Sequence, residues 1–193
     1  MSEKGHINRI LIYSIVFVAI VVMVLQTTHT TATTFQATIL KVSDGDTVWV
    51  KHNRKRLKLR LIGIDTPEEY HSKKMKRDIR KCHTTYQKMK LLGLLRTKHS
   101  KELLSVGETV TVKTAGRGYY GRTLAWIILP DGINYNEKMV ADGYACLYKQ
   151  HGRKPGNVDW QEWRKLNRLL ENAKDKKKGL WREYKDLMEC LCE

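Results

Sequence analysis

Acidic side chains are scarce in this 193-residue chain, where Asp and Glu number 20 against 36 Lys and Arg and leave a formal net charge of +16. Such a deficit creates a long-range positive field that disfavours basic partners and favours polyanions, without choosing between nucleic acid and anionic lipid. Cysteine is sparse as well: Cys82, Cys146, Cys190 and Cys192 are the whole set. No Cys-x-x-Cys pair exists, and Cys82-His83 with Cys190-Leu191-Cys192 is a poor zinc pattern, which argues against a structural zinc module. Internal repeats are missing, and low-complexity sequence is confined to the N-terminus, which excludes solenoids and arrays.

Charge is absent altogether between Arg9 and Lys41. Inside that gap residues 10–25 are apolar apart from Tyr13 and Ser14, and Lys4 and Arg9 precede them. This is the pattern of a secretory signal or signal anchor rather than of a folded segment. The run spans roughly 24 Å at about 1.5 Å per residue, short of a bilayer core of about 30 Å. Residues 26–34 either extend it or hold a cleavage site near Ala32, so both an uncleaved membrane anchor and a cleaved leader stand open. Positive charge on the N-terminal side predicts export of everything beyond residue 25, either anchored with the domain outside or released as a secreted or periplasmic protein. Export in turn would permit disulfides among the four cysteines, whose pairing the sequence does not choose. The expected organisation is a leader over residues 1–34, one domain over 35–182 and a tail over 183–193.

What the remainder contains is a run of short β-rich segments. "FQATILKV", "TVWVKH" and "RLKLRLIGI" are separated by Asp44-Gly45 and by the polar "NRK", as hairpins are. A basic stretch over residues 69–85 follows, and then "YQKMKLLGLLRTKHSKELL", where Met89, Leu92, Leu95, His99 and Leu103 have helical spacing and Gly93 is a weak point. "ETVTVK" and "RTLAWIIL" are two further strands joined by "TAGRGYYG". "NYNEKMVADGYA" is a short helix ending near Gly143. A longer helix opens at Asp159 as N-cap, with Trp160, Trp163, Leu166, Leu169, Leu170 and Ala173 on its apolar face. Five strands with about three helices predict an α+β domain, a five-stranded Greek-key barrel of the OB-fold type.

Three charged clusters punctuate this frame: Asp44 and Asp46 in "SDGDTV"; Arg60, Asp65, Thr66 and Glu68 in "RLIGIDTPEEY"; and Tyr119, Tyr120 and Arg122 in "GYYGRTLAW". Each has an ordinary reading. Asp-Gly makes a hairpin turn, Thr66-Pro67-Glu68-Glu69 fits a helix capping box, and the glycines of the third make a loop. Together they suit phosphodiester hydrolysis. Asp46 and Asp65 offer oxygen ligands for a hard cation, completed by the Thr66 carbonyl. Glu68 is placed to hold or deprotonate water, and Arg60 and Arg122 can fork onto phosphate oxygens. Asp46 is read here as a surface carboxylate, whose removal would spare the fold.

Asp44-Gly45-Asp46-Thr47, the stretch from Arg60 to Glu68, and Tyr120-Gly121-Arg122 resemble, in order, the motifs of the staphylococcal nuclease (thermonuclease) family. "NEKMVADGYA" and "KKKGLW" are similar to that family's helix and closing segment. The resemblance implies an OB-fold endonuclease, dependent on Ca²⁺, that cuts DNA and RNA and leaves 3′-phosphate ends. It implies Asp46, Asp65 and the Thr66 carbonyl as Ca²⁺ ligands with Asp44 just behind them, and Arg60, Glu68 and Arg122 as catalytic residues. Tyr120 would line the nucleotide pocket, with Tyr119 and Tyr148 as looser candidates. A monomer with no small-molecule cofactor is expected. Two departures stand out: the basic segment after Glu68 is longer than in the best-known member, and Tyr119 replaces a lysine. A non-catalytic nucleic-acid-binding module would be expected to lack one of these charged residues, and none is missing. A basic protein resting on anionic envelope polymer or lipid leaves the paired carboxylates unexplained.

Overall fold

The computed structural model of the chain describes residues 33–118, 121–149 and 155–193. The apolar N-terminal run, Tyr119 and Tyr120 lie outside the described residues. Strands β1 (Thr34–Asp44), β2 (Thr47–His52), β3 (Lys55–Leu61), β5 (Thr109–Arg117) and β6 (Thr123–Ile128) close a barrel in the order β1-β2-β3-β6-β5. Neighbours are antiparallel except β3 and β6, which run parallel. This is the α+β barrel anticipated from the strand order, and it is consistent with an OB-fold.

The alternation in "TVWVKH" and "KRLKLRL" explains why this sheet closes. Val48, Val50, Leu59 and Leu61 point inward and are buried, while Trp49 faces out and carries Arg56 and Lys58 over its ring. Asn53 and Arg54 both take positive φ, 46° and 66°, which makes the two-residue turn whose twist matches the strands. Beyond β3 the expected continuous strand breaks. Ile62-Gly63 bends the chain, and β4 (Ile64–Asp65) leaves the barrel to pair with β7 (Cys146–Leu147) in a separate small sheet.

Five α-helices occur among the described residues, where about three helices were expected: α1 (Lys73–Lys81), α2 (Tyr86–Leu103), α3 (Tyr135–Ala141), α4 (Trp160–Asp175) and α5 (Lys185–Cys192). The two extra ones come from the basic stretch and from the C-terminal tail. Helix α1 has only Met75 and Asp78 fully buried, so no apolar stripe announces it. Helix α5 is set by two disulfides, Cys82–Cys190 to the residue after α1 and Cys146–Cys192 to β7. The anticipated capping box at Thr66 to Glu69 does not form. Residues 66–72 contain no helix, and the first helix starts at Lys73 with Ser72 accepting from the Met75 N–H. Asp159 does cap α4, in a reciprocal box with Glu162. No helix among the described residues is long and apolar enough to cross a membrane.

Helices α3 and α4 share the core of the barrel. Tyr135, Met139 and Val140 of α3 and Leu166, Leu170 and Ala173 of α4 join the buried cluster. Buried Asn136 stitches the two layers, donating to the Ile62 and Ala125 carbonyls at 3.0 and 3.2 Å while its Oδ1 accepts from the Ile127 N–H at 3.3 Å.

Candidate active site

Asp44, Gly45 and Asp46 form the turn from β1 into β2. Thr47 is the register partner of Arg60, and this pairing sets the Arg60 guanidinium beside the turn. Arg60 Nη1 meets Asp46 Oδ2 at 2.7 Å, and Nη2 lies 3.6 Å from Asp65 Oδ1. The second oxygen of Asp46 accepts from the Thr47 hydroxyl at 3.2 Å, and the Thr66 hydroxyl donates to Oδ2 at 3.3 Å. The Asp46 N–H donates to Asp44 Oδ1 at 3.1 Å. The turn is seated on the helices behind it. A Cβ at Gly45 would run into Arg96 Cδ, and the buried Tyr135 hydroxyl donates to the Gly45 carbonyl at 3.2 Å. Any larger residue at 45 would have to displace the Arg96 and Thr66 side chains.

From β4 the chain crosses α2 without regular structure, and Gly93 is the crossing point. A Cβ there would stand 2.5 Å from the Glu68 carbonyl oxygen and 2.6 Å from the Glu69 nitrogen. The apparent weak point of the helix is thus the place where the Glu68 backbone rests. Two side chains of α2 hold it down: buried Arg96 donates to the Pro67 carbonyl at 2.6 Å, and the Thr97 hydroxyl donates to Glu69 Oε2 at 2.6 Å. The second of these takes the Glu69 carboxylate that a capping box would have used, and the Thr66 hydroxyl that would have completed the box donates to Asp46 instead. Thr66 and Glu68 are left facing Lys74 of α1, whose Nζ donates to the Thr66 carbonyl at 3.0 Å and lies 3.3 Å from Asp65 Oδ2 and 3.7 Å from Glu68 Oε1.

Burial and charge act against each other here. Asp44 is pushed up to about 7, chiefly by burial and then by the neighbouring Asp46 carboxylate. Burial is the strongest single influence on Asp46 and would raise it, but Arg60, the hydrogen bond with Asp44, Lys74 and Arg96 together outweigh it and hold this carboxyl below its ordinary range. Burial raises Asp65, with the Lys74 ammonium offsetting part of the rise. For Lys74, burial is outweighed by Asp65, Asp78 and Glu68, so its ammonium form is favoured.

The structure therefore brings together Asp44, Asp46, Arg60, Asp65, Thr66 and Glu68. Tyr148 joins them: its ring lies 5.6 Å from Arg60 Cζ, and its N–H donates to the Gly63 carbonyl at 3.1 Å beside β4. Arg122 lies one residue before Thr123, which pairs with Leu59, so its backbone enters the barrel next to the strand that bears Arg60. Tyr119 and Tyr120 lie outside the described residues. Lys74, Asp78, Gly93 and Arg96 were missed by sequence reasoning. Only Gly93, a helix-breaker inside a strong helical pattern, gave a signal.

The donor set suits a hard cation. Asp65 Oδ2 and the Thr66 carbonyl converge on one positive atom, the Lys74 nitrogen, and Asp46 is tied to both through Arg60 and the Thr66 hydroxyl. These are oxygens of the kind Ca²⁺ and Mg²⁺ take. Among the described residues no three His, Cys, Asp or Glu side chains form a metal-holding group by themselves, so the backbone carbonyl and solvent would have to complete the shell.

Residues 58–183 match the family described as SNase, staphylococcal nuclease homologue. That span takes in Arg60, Asp65, Thr66, Glu68 and Arg122, while Asp44 and Asp46 precede it. The chain is 34% identical over 143 residues to a protein named "Uncharacterized endonuclease" from Escherichia coli O157:H7, covering 74% of each. To "Endonuclease YhcR" of Bacillus subtilis it is 30% identical over 159 residues, which are 80% of this chain and 12% of that protein. To "Thermonuclease" of Staphylococcus hyicus it is 29% identical over 150 residues, covering 74% of this chain and 73% of the other. With well over half of the chain and most of the charged cluster inside the matched span, the chain belongs to the staphylococcal nuclease family.

Proposed function

We propose that the protein is a Ca²⁺-dependent endonuclease that hydrolyses DNA and RNA to 3′-phosphate ends. Family membership and relatives named endonuclease and thermonuclease support nuclease activity. The observation that carries the finer reading is the Arg60 bridge: one forked guanidinium tied to Asp46 and aimed at Asp65, next to a carbonyl and a carboxylate that share one cationic partner.

Asp46, Asp65 and the Thr66 carbonyl would hold Ca²⁺, with Asp44 behind them. When bound, the ion supplies positive charge to a phosphate oxygen and to water. The chain's own residues do the rest. Arg60 and Arg122 take the phosphate oxygens in forked hydrogen bonds and meet the charge that grows on them. Glu68 holds the attacking water and accepts its proton as the oxygen–phosphorus bond forms. The bond to the 5′-oxygen breaks, the phosphate stays on the 3′ side, and the departing oxygen takes a proton from solvent. Tyr120 and Tyr148 would offer ring faces to bases.

Full-length protein in mild detergent, incubated with supercoiled plasmid and Ca²⁺, should nick and then linearise it, and chelator should stop the reaction. Cleavage that continues undiminished in chelator would end the metal reading. Retardation of the plasmid without cleavage would leave a binding module.

We further propose that the domain is exported. The two disulfides among the described residues support an oxidising compartment, in line with the charge pattern of residues 1–25. Protease added to intact cells, or to spheroplasts where an outer membrane blocks access, should digest the domain. Protection until the inner membrane is broken would reverse the topology.

A further inference from the structure

We infer that Lys74 is a tethered competitor for the divalent cation, and that the buried Asp78 is the counterion to which it withdraws when the cation binds. The inference rests on the metal reading above and adds a residue that sets how tightly the ion is held.

Four oxygens surround one nitrogen. Lys74 Nζ donates to the Thr66 carbonyl at 3.0 Å and stands 3.3 Å from Asp65 Oδ2, 3.5 Å from Asp78 Oδ2 and 3.7 Å from Glu68 Oε1. Its side chain is only 24% exposed, so the ammonium is lodged among these groups. An ammonium has three donors, and here the neighbouring oxygens outnumber them. Little capacity is left for a phosphate, which argues against reading Lys74 as a substrate ligand in this position. A Ca²⁺ ion on the Thr66 carbonyl and Asp65 would sit about 2.3–2.6 Å from each oxygen. That point overlaps the volume the nitrogen fills, so the two cations exclude one another.

Asp78 gives the displaced ammonium somewhere to go. It lies one turn further along α1, four residues from Lys74, so a side-chain rotation reaches it without moving the helix. Its side chain is 8% exposed, and its other oxygen already meets Arg77 Nε at 3.1 Å. A carboxylate this deep needs a counterion, and an ammonium leaving the site needs one too. In either position Lys74 keeps Asp78 within reach. The apparent affinity for the divalent ion is then the intrinsic affinity multiplied by the fraction of molecules in which Lys74 has withdrawn.

Calorimetric titration of Ca²⁺ into the full-length protein, paired with the Ca²⁺-induced shift in Tm, tests this without turnover. Lys74→Met should bind Ca²⁺ about 10-fold or more tightly than the wild type and melt lower in chelator. Asp78→Asn should bind Ca²⁺ several-fold more weakly, because the ammonium loses its alternative partner. Lys74→Arg keeps the positive charge and should stay near the wild type; with Asp78→Asn it decides the matter if Lys74→Met does not fold. Equal affinity in wild type and Lys74→Met, or weaker binding by the variant, would overturn the competition while leaving the metal reading intact. A failure of every variant and the wild type to bind Ca²⁺ would remove both.

Discussion

On the barrel side of the site, Asp46 and Arg60 belong to a strand and to the turn that feeds one, and they lock at 2.7 Å with side chains 12% and 14% exposed. On the helical side, Glu68 and Lys74 stand 3.7 Å apart at 32% and 24% exposure, and Glu68 hangs from a segment without regular structure. One half is positioned by β-register and by an ion pair that is itself part of the packing. The other is positioned by a backbone resting on Gly93 and held by Arg96 and Thr97. Substitutions on the barrel side should therefore couple stability to rate, whereas on the helical side a change confined to the Glu68 side chain should separate them.

The largest expected effect sets Asp46→Ala against Glu68→Gln. Both should lose about 10²–10⁴-fold in cleavage rate if the site works as proposed. The barrel variant should also lose about 3 kcal/mol of stability, because it leaves the buried Arg60 short of its nearest partner. The sequence reading of Asp46 as a surface carboxylate is corrected here: the residue is 9% exposed. Glu68→Gln should melt within about 0.5 kcal/mol of the wild type, since its carboxylate is 32% exposed and the Lys74 ammonium 3.7 Å away keeps Asp65, Asp78 and the Thr66 carbonyl without it. A cleavage time course and a denaturant melt on the same samples decide it. Equal stability losses in the two variants would erase the distinction between the halves. Arg60→Lys should be nearly inactive although the charge is kept, because an ammonium cannot reproduce the fork.

Next in size is the staple on the helical side. Cys82→Ser with Cys190→Ser opens a link spanning 108 residues and should lower the unfolding free energy by about 2–4 kcal/mol. Helix α1 buries little besides Met75 and Asp78, so its amides should lose protection from hydrogen exchange while those of β2 and β3 keep theirs. Protection lost uniformly across the barrel would mean that the two regions are not mechanically separate.

Gly93→Ala is a finer probe of the helical side. Alanine favours a helix interior by about 1 kcal/mol over glycine. The added methyl, though, must push away the Glu68 and Glu69 backbone, which cannot swing aside as a side chain would. A net loss of about 1–3 kcal/mol is expected, because overpacking outweighs propensity. The shift of Glu68 should cost about 10-fold or more in rate. A more stable and fully active Gly93→Ala would show that the backbone does not rest on α2.

The same comparison explains what could be read in the sequence. Strands β2 and β3 declare themselves because Val48, Val50, Leu59 and Leu61 alternate with polar residues, a purely local pattern. Arg60 on β3 and Asp46 in the turn before β2 came with that pattern, and Asp65 follows in β4. Helix α1 was hidden because its second buried residue is Asp78, a charge made tolerable by Lys74 and Arg77. The buried face of α2 was only half read: Met89 and Leu92 fit an apolar stripe, but Arg96, Thr97 and Ser100 complete it. Helix α5 was illegible because its place depends on bonding to Cys82 and Cys146, far away in the chain. The Thr66-Pro67 capping signature misled for a related reason. Local chemistry favoured a helix start, and tertiary bonds from Thr97 to the Glu69 carboxylate and from the Thr66 hydroxyl to Asp46 outcompeted it.

The smallest expected effect lies at the back of the barrel side and depends on pH. Asp44 is raised from an ordinary 3.8 to about 7, mainly by burial and then by the charge on Asp46. A protonated Asp44 is therefore favoured in the folded state and not in the unfolded chain. Between about pH 4 and 7 the unfolded chain releases this proton while the folded one keeps it, so stability falls as pH rises through that window. The contribution of Asp44 is complete below about pH 4 and gone above about 7. Asn at this position keeps an oxygen able to accept the Asp46 N–H, the bond now made at 3.1 Å, and carries no titrating proton. In chelator, the Tm of Asp44→Asn minus that of the wild type should grow steadily from pH 4 to about 7 and then level off. Asp46, held low by Arg60, titrates in both proteins and largely cancels in the difference. A difference that stays flat between pH 4 and 8, or that shrinks as pH rises, would show that Asp44 is ionised in the fold and that the turn tolerates two negative charges side by side.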